Sequence, residues 1–348
     1  MRCRSRRSRS SRGSTVAPAT DPCVDAHAHL VPPALVDAIE RSSAKLPSVG
    51  VHRDDATVTL TLPGLGTPRP IPPVLLDRAR SHAWMDDQGI DVQVVGVWAD
   101  LFGYGLPAGE AAYWHRLLND LLQEEAAASG RMVPLATLPL QDTALAISEL
   151  ERVLAAGYRG VTIGCSAGAD ELDADRLDEL WAALAEHRVP VVMHPGFHAG
   201  DPRTRVYGMP NTLGRAYDTD VAVARLLYSG RLAGHPGLRI LLMHGGGAVP
   251  YLWGRLQRNH ALDPGGLADP ATGIDALWFD SIVYRERALS YLLDFAGADR
   301  VLLGSDYPFP IMDPEPLRVV RDLDPAPDVR QRICSGNAHA FFGLPTPA

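Results

Sequence analysis

The sequence predicts an α/β fold, a (β/α)₈ TIM barrel in which eight parallel strands close into a sheet inside a ring of helices. Three observations support this. After residue 22, eight β-rich runs alternate with segments that include clear helical patterns. Several runs are almost continuously apolar, which is typical of parallel strands buried on both faces. The rival fold, a doubly wound open sheet, more often has a glycine-rich phosphate turn after its first strand, and this chain has none there.

The strands are predicted from short apolar and β-branched runs. They cover 23–30, 92–97, 132–138, 160–164, 189–195, 239–246, 277–283 and 301–308. Between them, "AAYWHRLLNDLLQEEAAA" has leucines at helical spacing. The pattern "TALAISELERVLAAG" ends on Gly157, a suitable C-terminal stop. "DADRLDELWAALAEHR" starts with acids and ends with His187 and Arg188, which suits the helix dipole.

Residues 31–85 interrupt this alternation between the first and second strands. The segment "TVTLTL" alternates as a strand does, and Gly and Pro follow it closely. We expect a small inserted β-rich element after strand 1, lying over the barrel mouth. Loops of this length are usually functional or disordered.

Composition limits the partners of the chain. Its 348 residues are 46% hydrophobic and 21% charged, and no apolar run approaches the ~20 residues of a membrane helix. The net charge of −8 argues against nucleic acid as the main partner. The first thirteen residues hold six Arg and no acid, without the apolar region of a secretory signal. We expect residues 1–21 to be a disordered basic tail and residues 22–348 to form one domain. Four scattered Cys without a CxxC pair favour a cytoplasmic location.

Metal-capable side chains stand at the ends of several predicted strands. In "VDAHAHL", His27 and His29 lie two residues apart and therefore project from the same face of a strand. His194, His244 and Asp306 each follow an apolar run and stand close to Gly or Pro. The C-terminal strand ends of a barrel converge on one face, where catalytic residues are found.

A single His after an apolar run is commonly a hydrogen-bonded core residue, and Asp306 alone could be a turn residue. Their coincidence at four strand ends predicts a shared metal site. Three imidazoles and one carboxylate suit Zn²⁺, or less often Mn²⁺ or Fe²⁺. Five candidates compete for about four places, so one His is left as an acid/base.

The motifs "DAHAHL", "MHPG", "MHGGG" and "GSDYPFP", in this order, resemble the amidohydrolase superfamily. More narrowly, they resemble the branch of 2-amino-3-carboxymuconate-6-semialdehyde decarboxylase and of aromatic decarboxylases such as γ-resorcylate decarboxylase. The resemblance runs from about residue 22 to the C-terminus and includes "SGNAHAFFGL". These motifs are specific for the branch and leave the substrate open.

The resemblance implies a role for each of these positions. His27, His29, His194 and Asp306 would bind one divalent metal, most often Zn²⁺, with Mn²⁺ as the alternative. His244 would be the general acid/base that takes a proton from metal-bound water. Family members with two metals use a carboxylated Lys on strand 4, where this chain reads "GVTIGCSAG". One metal is therefore expected.

Substrate-binding residues are also implied. A family Arg that matches Arg255 reaches into the neighbouring subunit to hold a substrate carboxylate, which predicts a homodimer with Arg255 acting in trans. Phe102 and Tyr104, in "WADLFGYGLP", match a loop that lines the family's pocket.

The chain departs from the family pattern at three places. The second substrate Arg of the family lies in the insertion, where Arg53 and Arg69 are both possible. After strand 7 Tyr284 replaces a frequent His, and after "HPG" His198 adds an imidazole with a possible place in the pocket. These changes leave the natural substrate open.

The leading hypothesis is a metal-dependent, non-oxidative decarboxylase of an unsaturated or aromatic carboxylic acid, with Asp306 as a second candidate proton donor in the aromatic branch. One alternative is a hydrolase or hydratase that uses the same metal-bound water on a lactone, an amide or a C–C bond. Another is a non-catalytic metal-binding scaffold.

Overall fold

A computed structural model describes residues 22–54, 57–66, 68–196 and 202–345. The strands are β1 Val24–Leu30, β2 Gly50–Asp54, β3 Thr57–Thr61, β4 Val92–Val97, β5 Met132–Pro134, β6 Ala136–Thr137, β7 Val161–Ile163, β8 Ser166–Ala167, β9 Asp170–Glu171, β10 Pro190–Met193, β11 Arg239–Leu242, β12 Leu277–Asp280 and β13 Val301–Leu302. The helices are α1 Leu35–Arg41, α2 Arg78–Gln88, α3 Ala108–Ser129, α4 Thr143–Ala155, α5 Asp178–Glu186, α6 Arg215–Tyr228, α7 Arg231–Gly234, α8 Val249–Leu262, α9 Glu286–Ala296, α10 Pro316–Leu323, α11 Pro327–Gln331 and α12 Asn337–Phe342. The predicted basic tail, residues 1–21, lies outside the described residues.

The predicted (β/α)₈ barrel is confirmed. The parallel order β1–β4–β5 continues through β6–β7–β10–β11–β12–β13. The barrel closes between its first and last strands, where the Ala26 N–H donates to the Leu303 carbonyl and the His29 N–H donates to the Tyr307 carbonyl, both at 2.8 Å.

The predicted third strand is divided at Leu135. Its N–H donates to the Val95 carbonyl at 2.9 Å, after which the chain leaves β4 and continues as β6 beside β7. The later strands also end earlier than predicted: β7 at Ile163, β10 at Met193, β11 at Leu242, β12 at Asp280 and β13 at Leu302. After β11 and β13 the chain passes through positive φ, at His244 (57°) and Asp306 (61°).

The barrel interior is closed by apolar side chains from successive strands, with α12 packed beneath them. This cluster consists of Val24, Ala26, Val94, Leu135, Val192, Leu241, Met243, Leu302, Ala338, Phe341, Phe342 and Leu344. Burial of each large side chain contributes roughly 1.5–3 kcal/mol. On β1 the register with β4 shifts between Asp25 and Ala28, which is a bulge at the point where the strand passes from this core to the two histidines.

The insertion contains the expected β element. β2 and β3 form an antiparallel hairpin, and the Ile71 N–H adds a bond to the Val58 carbonyl. The chain after β3 lies beside the loop that follows β4, because Leu62, Pro63, Gly64 and Leu65 share a cavity with that loop. Within the described residues, no helix is long and apolar enough to cross a membrane.

Candidate metal centre and active site

Four of the predicted site residues come together at the C-terminal mouth of the barrel. One ligand atom each from His27, His29, His194 and Asp306 lies within 4.8 Å of the others. His27 Nε2 is 3.1 Å from His29 Nε2, and His29 Nε2 is 3.2 Å from Asp306 Oδ1. The three imidazoles and the carboxylate therefore converge on one point, as the sequence predicted.

Hydrogen bonds within the protein do not account for this cluster. All four side chains are buried, and both ring nitrogens of His194 and Oδ1 of Asp306 have no hydrogen-bond partner among the described residues. Buried polar atoms are nearly always paired, because an unpaired one costs about 1–3 kcal/mol. A divalent cation fits these atoms, since it would accept lone pairs from three imidazoles and one carboxylate.

Burial and neighbouring charges shift the pKa of each residue in the cluster. Burial lowers the pKa of His29, and it holds the pKa of His194 well below its usual range, which keeps that ring neutral with a lone pair to donate. Burial acts in the opposite direction on Asp306, but the charge of His27 and the closeness of the His244, His27 and His29 ring nitrogens outweigh it and hold the carboxyl pKa well below its usual range. The pKa of His27 is raised to about 9, because Asp306 and Asp280 outweigh the effect of burial.

The two histidines of β1 are oriented by bonds from their second nitrogens. His27 Nδ1 donates to Asp280 Oδ2 at 2.7 Å, and His29 Nδ1 donates to the Val97 carbonyl at 3.2 Å. Both bonds leave Nε2 directed at the cluster. Such partners of metal-binding histidines fix the tautomer and the ring orientation.

Asp280, at the end of β12, is a residue that the sequence reasoning did not assign to the site. It is fully buried, and besides His27 it accepts bonds from the backbone N–H groups of His244 at 2.9 Å and Gly245 at 2.7 Å. Asp280 thereby connects a predicted ligand to the turn that carries His244. The sequence signal for Asp280 is its place directly after the apolar run of residues 277–279, at a strand end like those of the predicted ligands.

His244 stands beside the four-residue cluster. Its ring centroid is 5.2 Å from that of His27 and 5.3 Å from that of His194, and its Nε2 is 3.5 Å from Asp306 Oδ2. It lines a cavity of about 270 Å³ together with Arg215 and Tyr284. The positive φ of His244, Asp306 and Tyr284 is uncommon for residues other than Gly, and each case costs roughly 1–3 kcal/mol. Such backbone strain concentrates at functional sites.

Phe102 and Tyr104 lie where the sequence predicted a pocket. Their rings stack with centroids 5.4 Å apart, and both line a cavity of about 510 Å³. The Tyr104 hydroxyl accepts a bond from the Gly164 N–H at 3.1 Å, which attaches this loop to the end of β7.

The two candidate arginines of the insertion have different surroundings. Arg53 pairs with Asp37 and Glu40 on α1, and it is exposed there. Arg69 pairs with Asp100 at 2.7 Å, and Asp100 lines the 510 Å³ cavity. Arg69 is therefore the insertion Arg that lies nearer the pocket.

Arg255 and His198 are the other two predicted substrate residues. Arg255 is exposed on α8 and lines neither of the two cavities described above, so its predicted action on a neighbouring subunit stays a prediction. His198 lies outside the described residues.

The barrel and its three-His, one-Asp cluster define the class of protein to which the chain belongs. The family model described as amidohydrolase matches residues 24–344, so the chain belongs to this family and is an enzyme of its superfamily.

Characterised relatives narrow the resemblance. The 2-amino-3-carboxymuconate-6-semialdehyde decarboxylase of Dictyostelium discoideum is 29% identical over 263 residues, which is 73% of each chain. The γ-resorcylate decarboxylase of Rhodococcus jostii (strain RHA1) is 31% identical over 65% of this chain and 75% of its own. The crystal structure of 5-carboxyvanillate decarboxylase from Sphingomonas paucimobilis superposes with a TM-score of 0.77 over 93% of this chain and 99% of its own. At 24% identity, this last likeness shows the fold.

Proposed function

We propose that the protein is a metal-dependent, non-oxidative decarboxylase of an aromatic or unsaturated carboxylic acid. The observation that supports this most directly is the combination of one four-residue ligand cluster with a fifth residue, His244, held beside it at a cavity. Two characterised relatives of this chain are decarboxylases of such acids.

His27, His29, His194 and Asp306 would hold one divalent ion, Zn²⁺ by the choice of donors, with Mn²⁺ as the alternative. When bound, that ion supplies a positive centre that polarises an oxygen of the substrate or of water.

His244 would move the proton. Loss of CO₂ breaks the C–C bond to the carboxyl group and leaves its electron pair on the former α-carbon or ring carbon, which must then receive a proton. His244 lines the cavity and has an orienting backbone bond to Asp280, so it can give or take a proton there. Asp306 is the second candidate donor in the reaction of an aromatic acid, through Oδ2, which faces His244.

Carboxylate binding is assigned to arginine. Arg69 pairs with Asp100, which lines the larger cavity, and would supply one guanidinium, and Arg255 of a second subunit would supply the other in a homodimer. Phe102 and Tyr104 would contact the substrate's apolar face, and His198 stays a candidate substrate contact. A cytoplasmic location stays part of this proposal.

The first test is metal analysis combined with a substrate panel. We expect close to one metal per chain and release of CO₂ from at least one of 2,6-dihydroxybenzoate, 5-carboxyvanillate and 2-amino-3-carboxymuconate 6-semialdehyde. Metal-dependent hydrolysis or hydration without CO₂ would favour the hydrolase or hydratase alternative. Bound metal without turnover of any of these classes would favour the scaffold.

The second test separates proton transfer from metal binding. His244→Ala is expected to keep its metal and to lose roughly 10²–10⁴-fold in turnover, because a positioned general acid/base contributes about that factor. Surviving turnover would show that another group transfers the proton.

The third test addresses the subunit partner. Arg255→Ala and His244→Ala chains, mixed and reassembled, should recover part of the activity, since half of the sites in a heterodimer would then be intact. The neighbouring exposed Arg258→Ala is the control, because it should need no rescue. Absence of recovery in mixed dimers would argue against a contribution in trans.

A further inference from the structure

His194 is held differently from the other histidine ligands. Neither of its ring nitrogens has a hydrogen-bond partner among the described residues, whereas His27 and His29 each have one on the second nitrogen. The position of the His194 ring therefore depends on the backbone that carries it, namely the end of β10 and the Pro195–Gly196 segment that follows.

Two side chains in the first turn of α6 bind the carbonyl and the N–H of the Pro195–Gly196 peptide. Arg215 Nη1 donates to the Pro195 carbonyl at 2.7 Å, and the Gly196 N–H donates to Asp218 Oδ2 at 3.2 Å. Both side chains are three residues apart and so lie on the same face of the helix. Arg215 is only 8% exposed, so this cation is built into the interior.

Asp220, in the second turn of α6 and on a different face from Asp218, binds the other catalytic loop. Its Oδ1 accepts a bond from the Ala248 N–H at 2.8 Å, at the end of the "HGGGA" turn that begins with His244. Gly247 has φ +64°, and a Cβ there would lie 2.7 Å from Asp220 Oδ1. The loop can approach α6 this closely only because residue 247 is glycine.

Burial makes the charged forms of Asp218 and Asp220 unfavourable. Burial raises the pKa of Asp218 to about 6, and it raises that of Asp220 to about 6, so the site favours the neutral acids more than water does. Charged side chains kept in such a place, each on a backbone group of a catalytic loop, have a positional role.

We propose that α6 positions the metal ligand His194 and the proton-transfer residue His244 relative to each other, with Arg215 and Asp218 holding the loop after β10 and Asp220 holding the loop after β11. The assignment of His244 rests on the proposed function. The assignment of His194 rests on the ligand cluster alone, and it is tested without measuring activity.

The first arm measures Mn²⁺ affinity by chelator competition. Asp218→Ala should weaken Mn²⁺ binding about 10–100-fold, as expected for a partner that orients a ligand. Asp218→Asn keeps an oxygen for the Gly196 N–H and should restore most of the affinity. Arg225→Ala is the matched control, because Arg225 lies on the same helix and pairs with Asp173, away from both loops. Wild-type Mn²⁺ affinity in Asp218→Ala would overturn this half of the proposal.

The second arm follows the ring chemical shifts of the His244 imidazole by NMR in the Zn²⁺-loaded protein at one pH, with the signal assigned from His244→Gln. Asp220→Ala should displace the His244 ring signals and leave the Mn²⁺ dissociation constant at the wild-type value. Unchanged His244 ring shifts, or an equal loss of metal in the Asp218 and Asp220 variants, would overturn the separation of roles.

Circular dichroism and melting temperature check that each variant folds. If Asp218→Ala does not fold, Asp218→Glu takes its place, since it keeps the charge and moves the carboxylate by one methylene. Failure of the proposed function would be seen differently: the two arms would give the expected results while no decarboxylation was found in any variant or in the wild type.

Discussion

His27 and His194 are two ligands of the same cluster that the protein fixes in different ways. The ring of His27 is held directly by Asp280, whereas the ring of His194 is held through its backbone by α6. A carboxylate on the ring sets both orientation and basicity, but a bond to the following peptide sets position alone. The β1 side of the site is therefore fixed by the buried carboxylate of Asp280 and the β10 side by α6.

Removal of a ligand should have the same effect on metal binding on the β1 side and on the β10 side. His27→Ala and His194→Ala are each expected to lose strong metal binding, because either change leaves three ligands and a cavity in place of an imidazole. Metal content after gel filtration measures this, and Phe102→Ala, at the pocket but outside the cluster, is the control. Near-stoichiometric metal in one of the two variants would mean that this His is not a ligand.

Removal of Asp280 should affect both metal affinity and turnover, whereas removal of Asp218 should not disturb the His244 turn. Asp280→Ala takes a partner from His27 and the acceptor from the His244 and Gly245 N–H groups, so metal affinity should fall about 10–100-fold and turnover should fall with it. Asp218→Ala should reduce metal affinity without disturbing the His244 turn, which its carboxylate does not touch; because Asp218 lines the larger cavity, turnover is compared at saturating metal and substrate. Chelator competition and steady-state kinetics on both variants measure these effects. A loss of only metal affinity, or of only turnover, in Asp280→Ala would contradict the prediction.

The sequence alone predicts the four clustered side chains, because their signal is local. Alternation along one strand places His27 and His29 on one face, and an apolar run followed by Gly or Pro marks a strand end. The bulge in β1 includes His27, and the His27 and His29 Nε2 atoms still lie 3.1 Å apart at the cluster.

The partners of those groups could not be predicted in the same way. Asp280 is 253 residues from His27 along the chain, and Asp218 is 22 residues from Gly196, so only the closed barrel brings them together. The choice between Arg53 and Arg69 also needed the structure, because it depends on which acid each one meets. The break at Leu135 depends on a change of neighbouring strand, which a continuous apolar pattern does not show.

The smallest expected effect is a pH dependence of the free energy of unfolding, caused by Asp220 on α6. Burial raises the pKa of Asp220 from 3.8 to about 6, so between about pH 4 and pH 6 the folded state binds a proton that the unfolded state releases. This group's contribution to stability therefore falls as pH rises through that window and is level above it. Asp220→Asn removes the titration and keeps an acceptor for the Ala248 N–H.

The free energy of unfolding of Asp220→Asn, relative to wild type, should accordingly increase from pH 4.5 to pH 7. The gain should be smaller than the roughly 3 kcal/mol that two pKa units represent, because Asp220 is partly exposed and screened by solvent. Urea unfolding of the metal-free proteins at several pH values measures it, and Asp294→Asn on the exposed face of α9 is the control. A relative stability of Asp220→Asn that does not change with pH would show that Asp220 is held in the loop contact without the cost of burial.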